Sequence, residues 1–523
     1  MRAGSLEDRR QLKNLAYVFL AVGTLLSLAA LSNWQIEFAL SILGVLLIGW
    51  TTGRSLPASV SGLLAAVTVV LLKTNPSGLP LGYRLIGLLA ALICATPLLL
   101  RRRHDTGFPL LGVFCAIQGI YLYVAALISS PSLPFQPTYT IRIRELGLLG
   151  SLAYVFLVVA VGLLARRIRP VLPSIRRWTS AMTEPSSQTF TRSVLLFIIG
   201  LATIRFLPAG ISSDLGSIPG IIGLLRIVAF SIMLLLWLRG SLTPTKKAVV
   251  ILALLFDFVT GTNSQFELYS AAGVAISGMI LLLVLRPRLA AWILLPMIPI
   301  LIVFNVAKTE ARVNPIKPSG PFGAVHVLLS DSINTALHPA AGALPASAWR
   351  FGYNSDLLGY VEAHVPSEYP YWNKQTYIDM PLILIPRVLA PFKPKVSLGN
   401  EFGREYGLLG ANDFVTSENT PLQVEAWANF GPEGLVGVAI IVGLLLGLGE
   451  GLFDRRRVDG LVMGTVVAYQ LSAGIESGAS TWALAIWIVI LLVPMTRWAI
   501  GGQFLGSSQR QSAVPVRRGF PLE

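Results

Sequence analysis

The residues best suited to chemistry lie between Pro381 and Gly434, a polar, charged, aromatic stretch rich in Gly and Pro, in a chain that is otherwise almost unbroken hydrocarbon. Within it, Ile385–Lys395 reads IPRVLAPFKPK, and Pro386, Pro391 and Pro394 forbid a regular helix and pre-set an extended or turned backbone. Three cations are thereby presented on a stiffened segment. Arg387 offers a planar fork for phosphate oxygens, and Lys393 and Lys395 add point charges. Downstream, Gly399, Gly403, Gly407 and Gly410 alternate with Asn400, Glu401, Arg404 and Glu405, a stretch expected to be flexible enough to close over a ligand. Glu425, Trp427 and Asn429 follow, just before Gly431. A carboxylate, an indole and an amide suit sugar binding, and Trp427 equally suits an anchor at a membrane interface. A basic clamp with a carboxylate and aromatics points to an anionic, partly carbohydrate substrate.

A sugar hydroxyl acting as nucleophile needs a general base. Glu425 and His364 are the candidates, the latter in Glu362-Ala-His-Val-Pro366. Each has a plainer reading: His364 as a solvated loop histidine, and Glu425 as the partner that holds Arg387 by a charge-assisted bond. No cluster with metal-ligand spacing is visible, so neither a metal nor a cofactor is expected, and cations of the chain take the part a divalent ion plays elsewhere.

The surrounding chain fixes the solvent. Of 523 residues 54% are hydrophobic and only 13% charged, about half the charged share of an average soluble domain. The expected fold is an all-α polytopic membrane protein. A net charge of +15 does not then indicate nucleic acid, because Lys and Arg accumulate on the cytoplasmic loops of such proteins. Cys94 and Cys115 each sit inside an apolar run and read as packing residues. The first apolar run lacks a small-residue cleavage site and reads as an anchor.

Runs near the length needed to cross a bilayer are Leu15–Ala30, Ile36–Trp50, Pro57–Leu72, Leu85–Leu100, Phe108–Ile128, Leu146–Ala165 and Val194–Leu207. They continue with Ile218–Leu238, Ala248–Val259, Leu268–Leu285, Leu289–Val306, Leu435–Phe453, Leu461–Ile475 and Trp482–Trp498. About fourteen spans are expected. Basic residues alternate between the connecting loops: Arg9, Arg101–Arg103, Arg166–Arg177, Lys246, Arg286, Arg455–Arg457 and Arg497 fall on one side, and little on the other. Both termini are therefore expected in the cytoplasm. Residues 1–306 form eleven spans, 307–434 one large extracytoplasmic loop, 435–498 three further spans, and 499–523 a cytoplasmic tail. The loop holds nine basic residues, among them Arg350 and Arg404 beside the three already named. Inside the spans, Arg226 and Asp257 carry opposite charge and are expected to form a structural ion pair.

Pro386-Arg387, Lys393-Pro394, the turn Gly399–Phe402, Thr416-Ser417, and Glu425 ahead of Asn429-Phe430-Gly431 together resemble the O-antigen and oligosaccharide repeat-unit polymerases of the Wzy type. Upstream, Arg350-Phe-Gly-Tyr-Asn-Ser-Asp356 and Tyr369-Pro-Tyr371 are similar to the earlier part of the same loop. The resemblance covers about Arg350 to Gly434; elsewhere it is one of hydropathy. It implies a GT-C-like fold and an inverting glycosyltransferase at the outer face of a bacterial plasma membrane, acting in O-antigen, capsule or exopolysaccharide synthesis. A growing glycan would pass from undecaprenyl pyrophosphate to the non-reducing end of a new lipid-linked unit. Arg387 and Glu425, with His364, would be catalytic; Arg350, Lys393, Lys395, Arg404, Trp427 and Asn429 would bind pyrophosphate and glycan. Membrane lipids, a flippase and a chain-length regulator would be partners, and nucleic acid would not. An O-antigen ligase shares fold and donor and differs in acceptor. A lipid-linked glycan flippase is the alternative of another class, expected to show internal repeats and midplane charges rather than one dominant outer loop.

Overall fold

Long apolar runs satisfy their backbone polar groups internally, and in lipid they do so as helices. The computed structural model describes residues 79–100, 107–127, 139–168, 188–207, 218–261, 272–286, 320–337, 343–372, 398–414, 416–455 and 457–501, with short pieces at 105, 289–290, 293, 376–378 and 385. The expected spans within residues 15–72, most of Leu289–Val306, and nearly all of the tail lie outside the described residues. What is described is all-helical, and six of its helical stretches are long and apolar enough to cross a membrane.

Three helices, α1 (Leu81–Leu99), α2 (Leu110–Leu127) and α3 (Ile141–Ile168), pack together and against α12 (Leu422–Gly449). A second group comprises α4 (Thr189–Phe206), α5 (Ile218–Gly223), α6 (Leu225–Leu238), α7 (Pro244–Gly261) and α8 (Gly273–Leu285). α13 (Val458–Ala473) touches α2 on one side and α6 and α8 on the other, and α14 (Ala479–Ile500) packs on α13 and α4. Between the groups in sequence come α9 (Gly320–Leu337), α10 (Ala343–His364) and the short α11 (Leu398–Glu405).

One end of the bundle is tied by charge. Arg166 Nε and Nη2 donate to the two Glu450 oxygens at 2.6 and 2.7 Å, Arg166 Nη1 donates to the Pro97 carbonyl at 3.0 Å, and the Leu111 N–H donates to Glu450 Oε1 at 3.2 Å. The ends of α1, α2, α3 and α12 therefore meet at one largely buried bidentate pair. The same end gathers Lys246, over the Phe190 ring, and Arg497, 3.8 Å from Asp459.

Close helix contact here is made by small residues, as is usual between helices in lipid. A Cβ added at Gly447 would lie 2.4 Å from the Gly162 carbonyl, and one at Gly443 2.8 Å from the Val158 carbonyl, so the Gly443-x-x-x-Gly447 face of α12 lies directly on the α3 backbone. At the other end of α3 the partner is α10: a Cβ at Gly147 would fall 1.8 Å from the Ser355 carbonyl, and one at Gly359 1.9 Å from that of Ile143.

Several boundaries differ from expectation. α3 begins before Leu146 and takes in Arg142 and Arg144, which read as loop residues because two charges interrupt the apolar run. α12 begins at Leu422 rather than Leu435, so the helix crosses the expected loop boundary at 434, and Glu425, Trp427 and Asn429 lie on a helix rather than in the loop before it. Gly431 explains the misreading. Its φ of 63° and ψ of −147°, followed by Pro432, kink the helix, and sequence patterns of this kind usually mark a turn. Ile218–Leu238 is broken at Leu224 into α5 and α6.

Replacing Gly147 or Gly359 with Ala forces a Cβ into backbone that cannot swing away. Either variant is expected to detach α10 from α3 and lower the unfolding temperature of the detergent-purified protein by several degrees, whereas Gly82→Ala, which meets open space, leaves it unchanged.

Candidate functional site

At the end of the bundle opposite the Arg166–Glu450 pair, α10, α11, the segment Tyr369–Trp372 and the first turns of α12 form an aromatic cap. Phe402 stacks on Tyr406 with centroids 4.6 Å apart, and Trp372 meets both edge-on at 5.4 and 5.7 Å. Tyr369 packs on Tyr406 at 5.3 Å, and the Tyr360 hydroxyl donates to the Tyr406 carbonyl at 2.9 Å. The Trp372 N–H donates to the Ala428 carbonyl at 2.9 Å and its indole N–H donates to Glu405, which seats the cap on α12. Aromatic pairs at these separations add to burial beyond their area.

Of the glycines expected to make a flexible flap, Gly399, Gly403 and Gly407 instead allow close packing, and Gly410 faces open space. Gly399 and Gly403 lie within α11, where a Cβ would fall 2.0 Å from the Glu418 carbonyl and 2.5 Å from Leu409 Cδ1 respectively. Gly407, at φ 67°, ends this turn in the left-handed region. Asn400 ties the returning chain by donating to the Asp413 and Thr416 carbonyls, and its Oδ1 accepts from Arg404 Nε at 3.0 Å. Gly399, Asn400 and Thr416-Ser417, separated in the sequence motif, are thereby brought together. The Arg404 guanidinium also lies over the exposed Phe414 ring at 4.5 Å.

Glu425 is buried to 1% exposure, and its Oε2 accepts the Ala479 N–H at 2.6 Å. It therefore caps the N-terminus of the 22-residue α14, where the helix dipole favours an anion. Gly478 makes room: a Cβ there would be 2.1 Å from Glu425 Oε2. Asn429, one turn on, donates from Nδ2 to Thr376 Oγ1 at 2.9 Å and to the Glu425 carbonyl at 2.8 Å. Trp427 packs against both the membrane core and the cap core. His364 ends α10 with Nδ1 2.7 Å from the Tyr360 carbonyl, its ring 4.2 Å from that of Tyr360 and its Nε2 3.9 Å from Glu368. Arg350 lies on the first half of α10. Arg387, Lys393 and Lys395 lie outside the described residues.

Two groups were not singled out from the sequence. Arg144 and Asp356 form an ion pair at 3.1 Å, with side chains 0% and 1% exposed. Tyr83 and Tyr139 lie within electrostatic reach of it. Burial raises the Asp356 carboxyl above its ordinary range, and Arg144 opposes the rise. The second is Glu418. It is half-buried at the cap surface and accepts a hydrogen bond from the Tyr353 hydroxyl. Burial raises its carboxyl, and the Tyr353 bond draws it back down. The adjacent Asn419 donates to Glu476, which also accepts from Tyr121 at 2.6 Å. Cap, α2 and the turn Gly474–Glu476 are joined there. Asp356 sits among aromatic and aliphatic neighbours on α10, whereas Glu418 lies in a polar stretch, Thr416-Ser-Glu-Asn-Thr420, with no local signal that sets it apart.

No family model, curated protein or solved structure matches this chain.

Two predictions follow from burial. Arg144→Met leaves Asp356 as an uncompensated buried carboxyl and is expected to destabilise the protein by about 3–5 kcal/mol, with Arg144→Met/Asp356→Leu recovering most of the loss in thermal unfolding. Glu362 packs against Gly150, and burial lifts its carboxyl from 4.5 to about 8. Because the folded state then holds a proton that the unfolded state has released, stability falls as pH rises through that window. The wild-type unfolding temperature is expected to drop between about pH 5 and about pH 9, and that of Glu362→Gln to drop less.

Proposed function

We propose that this membrane protein is an inverting glycosyltransferase that polymerises lipid-linked oligosaccharide repeat units at the outer face of a plasma membrane. The observation that carries the reading is Glu418: a half-buried carboxylate with a raised pKa, held by Tyr353, on an aromatic cap at one end of an apolar helix bundle. The positive-inside rule assigns the opposite end, with Arg166, Lys246, Arg455 and Arg497, to the cytoplasm. The cap then faces outward, where a flipped lipid-linked glycan is available.

In this reading the acceptor's non-reducing-end hydroxyl gives its proton to Glu418 as its oxygen bonds to the donor's anomeric carbon. The bond from that carbon to the pyrophosphate oxygen breaks on the opposite face, inverting the centre, and the electron pair leaves with the lipid pyrophosphate. A base whose pKa lies nearer the working pH than an ordinary carboxylate removes the proton more effectively. Arg387, Lys393 and Lys395, the cations of the motif, stabilise the departing charge. Arg404 and Arg350 add to the positive field. Glu425 and Asn429 position the cap: the former is committed to the α14 N-terminus and the latter to Thr376. Aromatic faces such as Trp372 and Tyr369 suit the apolar faces of sugar rings.

Incubating the purified protein with a polyprenyl-pyrophosphate-linked repeat unit and resolving products by chain length tests the reading. Longer lipid-linked glycans are expected from wild type. Glu418→Gln is expected to lower kcat by about a hundredfold or more, and Arg387→Ala by a similar factor. Activity requires Glu418 deprotonated, so it is lost as pH falls. Tyr353→Phe removes the bond that lowers the Glu418 pKa and is expected to move that acid limb to higher pH. Transfer only to a non-repeat acceptor would identify a ligase. Translocation without a new glycosidic bond, or unchanged polymerisation by Glu418→Gln, would refute the assignment.

A further inference from the structure

α3 packs on both α1 and α10, and around that contact three polar groups are buried without the bonds they can make. Tyr83 in the first turn of α1, Tyr139 just before α3, and Asp356 on α10 are 1%, 5% and 0% exposed. Among the described residues, the Tyr83 and Tyr139 hydroxyls and Asp356 Oδ1 have no hydrogen-bond partner. Buried donors and acceptors are ordinarily satisfied, by protein or by ordered water.

The three groups share one neighbourhood. Tyr83 and Tyr139 both lie within electrostatic reach of Asp356 and of Arg144. The Tyr139 ring meets that of Tyr360, one helical turn beyond Asp356, edge-on at 5.9 Å. Tyr353, on the preceding turn of α10, lies within electrostatic reach of both Tyr139 and Asp356.

The charges select the ligand. Arg144 and Asp356 pair at 3.1 Å, so the two full charges at the centre largely cancel. A bound anion would be repelled by the Asp356 carboxylate and a bound cation by the Arg144 guanidinium, and in a buried site either repulsion is strong. The group calls instead for a neutral molecule that donates to a carboxylate and accepts from phenols. Water does both, and a buried water typically satisfies about three polar groups at once. We propose that α1, α3 and α10 enclose a site for ordered water, which donates to Asp356 Oδ1 and accepts from the Tyr83 and Tyr139 hydroxyls. The water carries hydrogen bonding from the first turn of α1 across α3 to the cap helix. This site is independent of the glycosyltransferase reading, since neither substrate nor Glu418 takes part in it.

The test is X-ray hydroxyl-radical footprinting of the detergent-purified full-length protein, mixed rapidly into water labelled with heavy oxygen before exposure. Radicals form on bound water as on bulk water, so a buried ring beside an ordered water is modified and a dry one is not. Tyr83 and Tyr139 are expected to be modified, and to take up heavy oxygen later than the exposed Phe414. Phe108, buried in the apolar core, is expected to stay unmodified. Tyr139→Phe is expected to cut modification of Tyr83 severalfold, and Tyr83→Phe that of Tyr139, with Phe108 still protected as the sign of an intact fold. Each variant is expected to lower the unfolding temperature by a few degrees, because a hydrogen bond to water is lost. Removing a hydroxyl that bonds nothing would raise it. Protection of both tyrosines equal to that of Phe108 would overturn the proposal, as would uptake of heavy oxygen as fast as at Phe414, the sign of open solvent. So would a higher unfolding temperature in either Phe variant, or a lower one in wild type when chloride is exchanged for gluconate, the sign of an anion on the two phenols.

Discussion

Everything at the cap depends on how closely two helices approach α3. At Gly147 and Gly359 the backbones of α3 and α10 touch with no side chain between them, and at Gly443 and Gly447 α12 does the same farther along. In lipid there is no water to expel between helices, so association relies on van der Waals contact and on small residues that permit it. α3 therefore acts as a rail that carries α10 at one end and α12 along its length. Because α10 supplies Tyr353, Asp356, Tyr360 and Glu362, while α12 supplies Glu425, Trp427 and Asn429, this shared rail sets the distance between the two halves of the cap. The Arg166–Glu450 pair locks the far end, which leaves little freedom for α12 to slide.

Hydropathy and the low share of charged residues made the membrane class and most helix positions among the described residues legible, because a bilayer imposes a length and an apolar composition that local sequence records directly. They failed where a helix continues past the apolar run. Arg142 and Arg144 look like a loop, yet Arg144 is buried because α10 brings it a carboxylate from more than two hundred residues away. That partner is a tertiary fact with no local trace. The Asn429-Phe-Gly-Pro432 sequence looks like the end of an element and is a kink inside one, since Tyr371 and the positive φ at Gly431 fit around a helix that goes on. The Arg226–Asp257 pair was legible, because two opposite charges at similar depth in lipid have few other ways to be satisfied.

Those candidate residues that lie among the described ones gather largely in one region, and their surroundings differ residue by residue. The motif located the polar end of the molecule, and its members Gly399, Asn400 and Thr416-Ser417 do converge, through the Asn400 side chain. Residue type alone did not separate fully enclosed carboxylates from partly open ones. Glu425 and Glu418 are both carboxylates seven residues apart, by the sequence numbering. One is enclosed and bonded to a helix terminus, and the other is half open and bonded to a phenol. Spacing cannot reveal that difference, because it arises from Ala479 and Tyr353, which reach the two groups from opposite directions in the chain.

Burial also orders the charges by role. Arg144–Asp356, Arg226–Asp257 and Glu425 with the α14 N-terminus have each exchanged water for a fixed partner, an arrangement that makes either member costly to remove and poorly free to exchange a proton with a substrate. Glu418 has kept part of its access to the surface while losing enough solvation to raise its proton affinity. A catalytic base needs both conditions together: exposure so that a hydroxyl can reach it, and partial desolvation so that it binds the proton it takes. The cap's aromatic wall supplies the second without abolishing the first. The glycine contacts on α3 hold that balance in place.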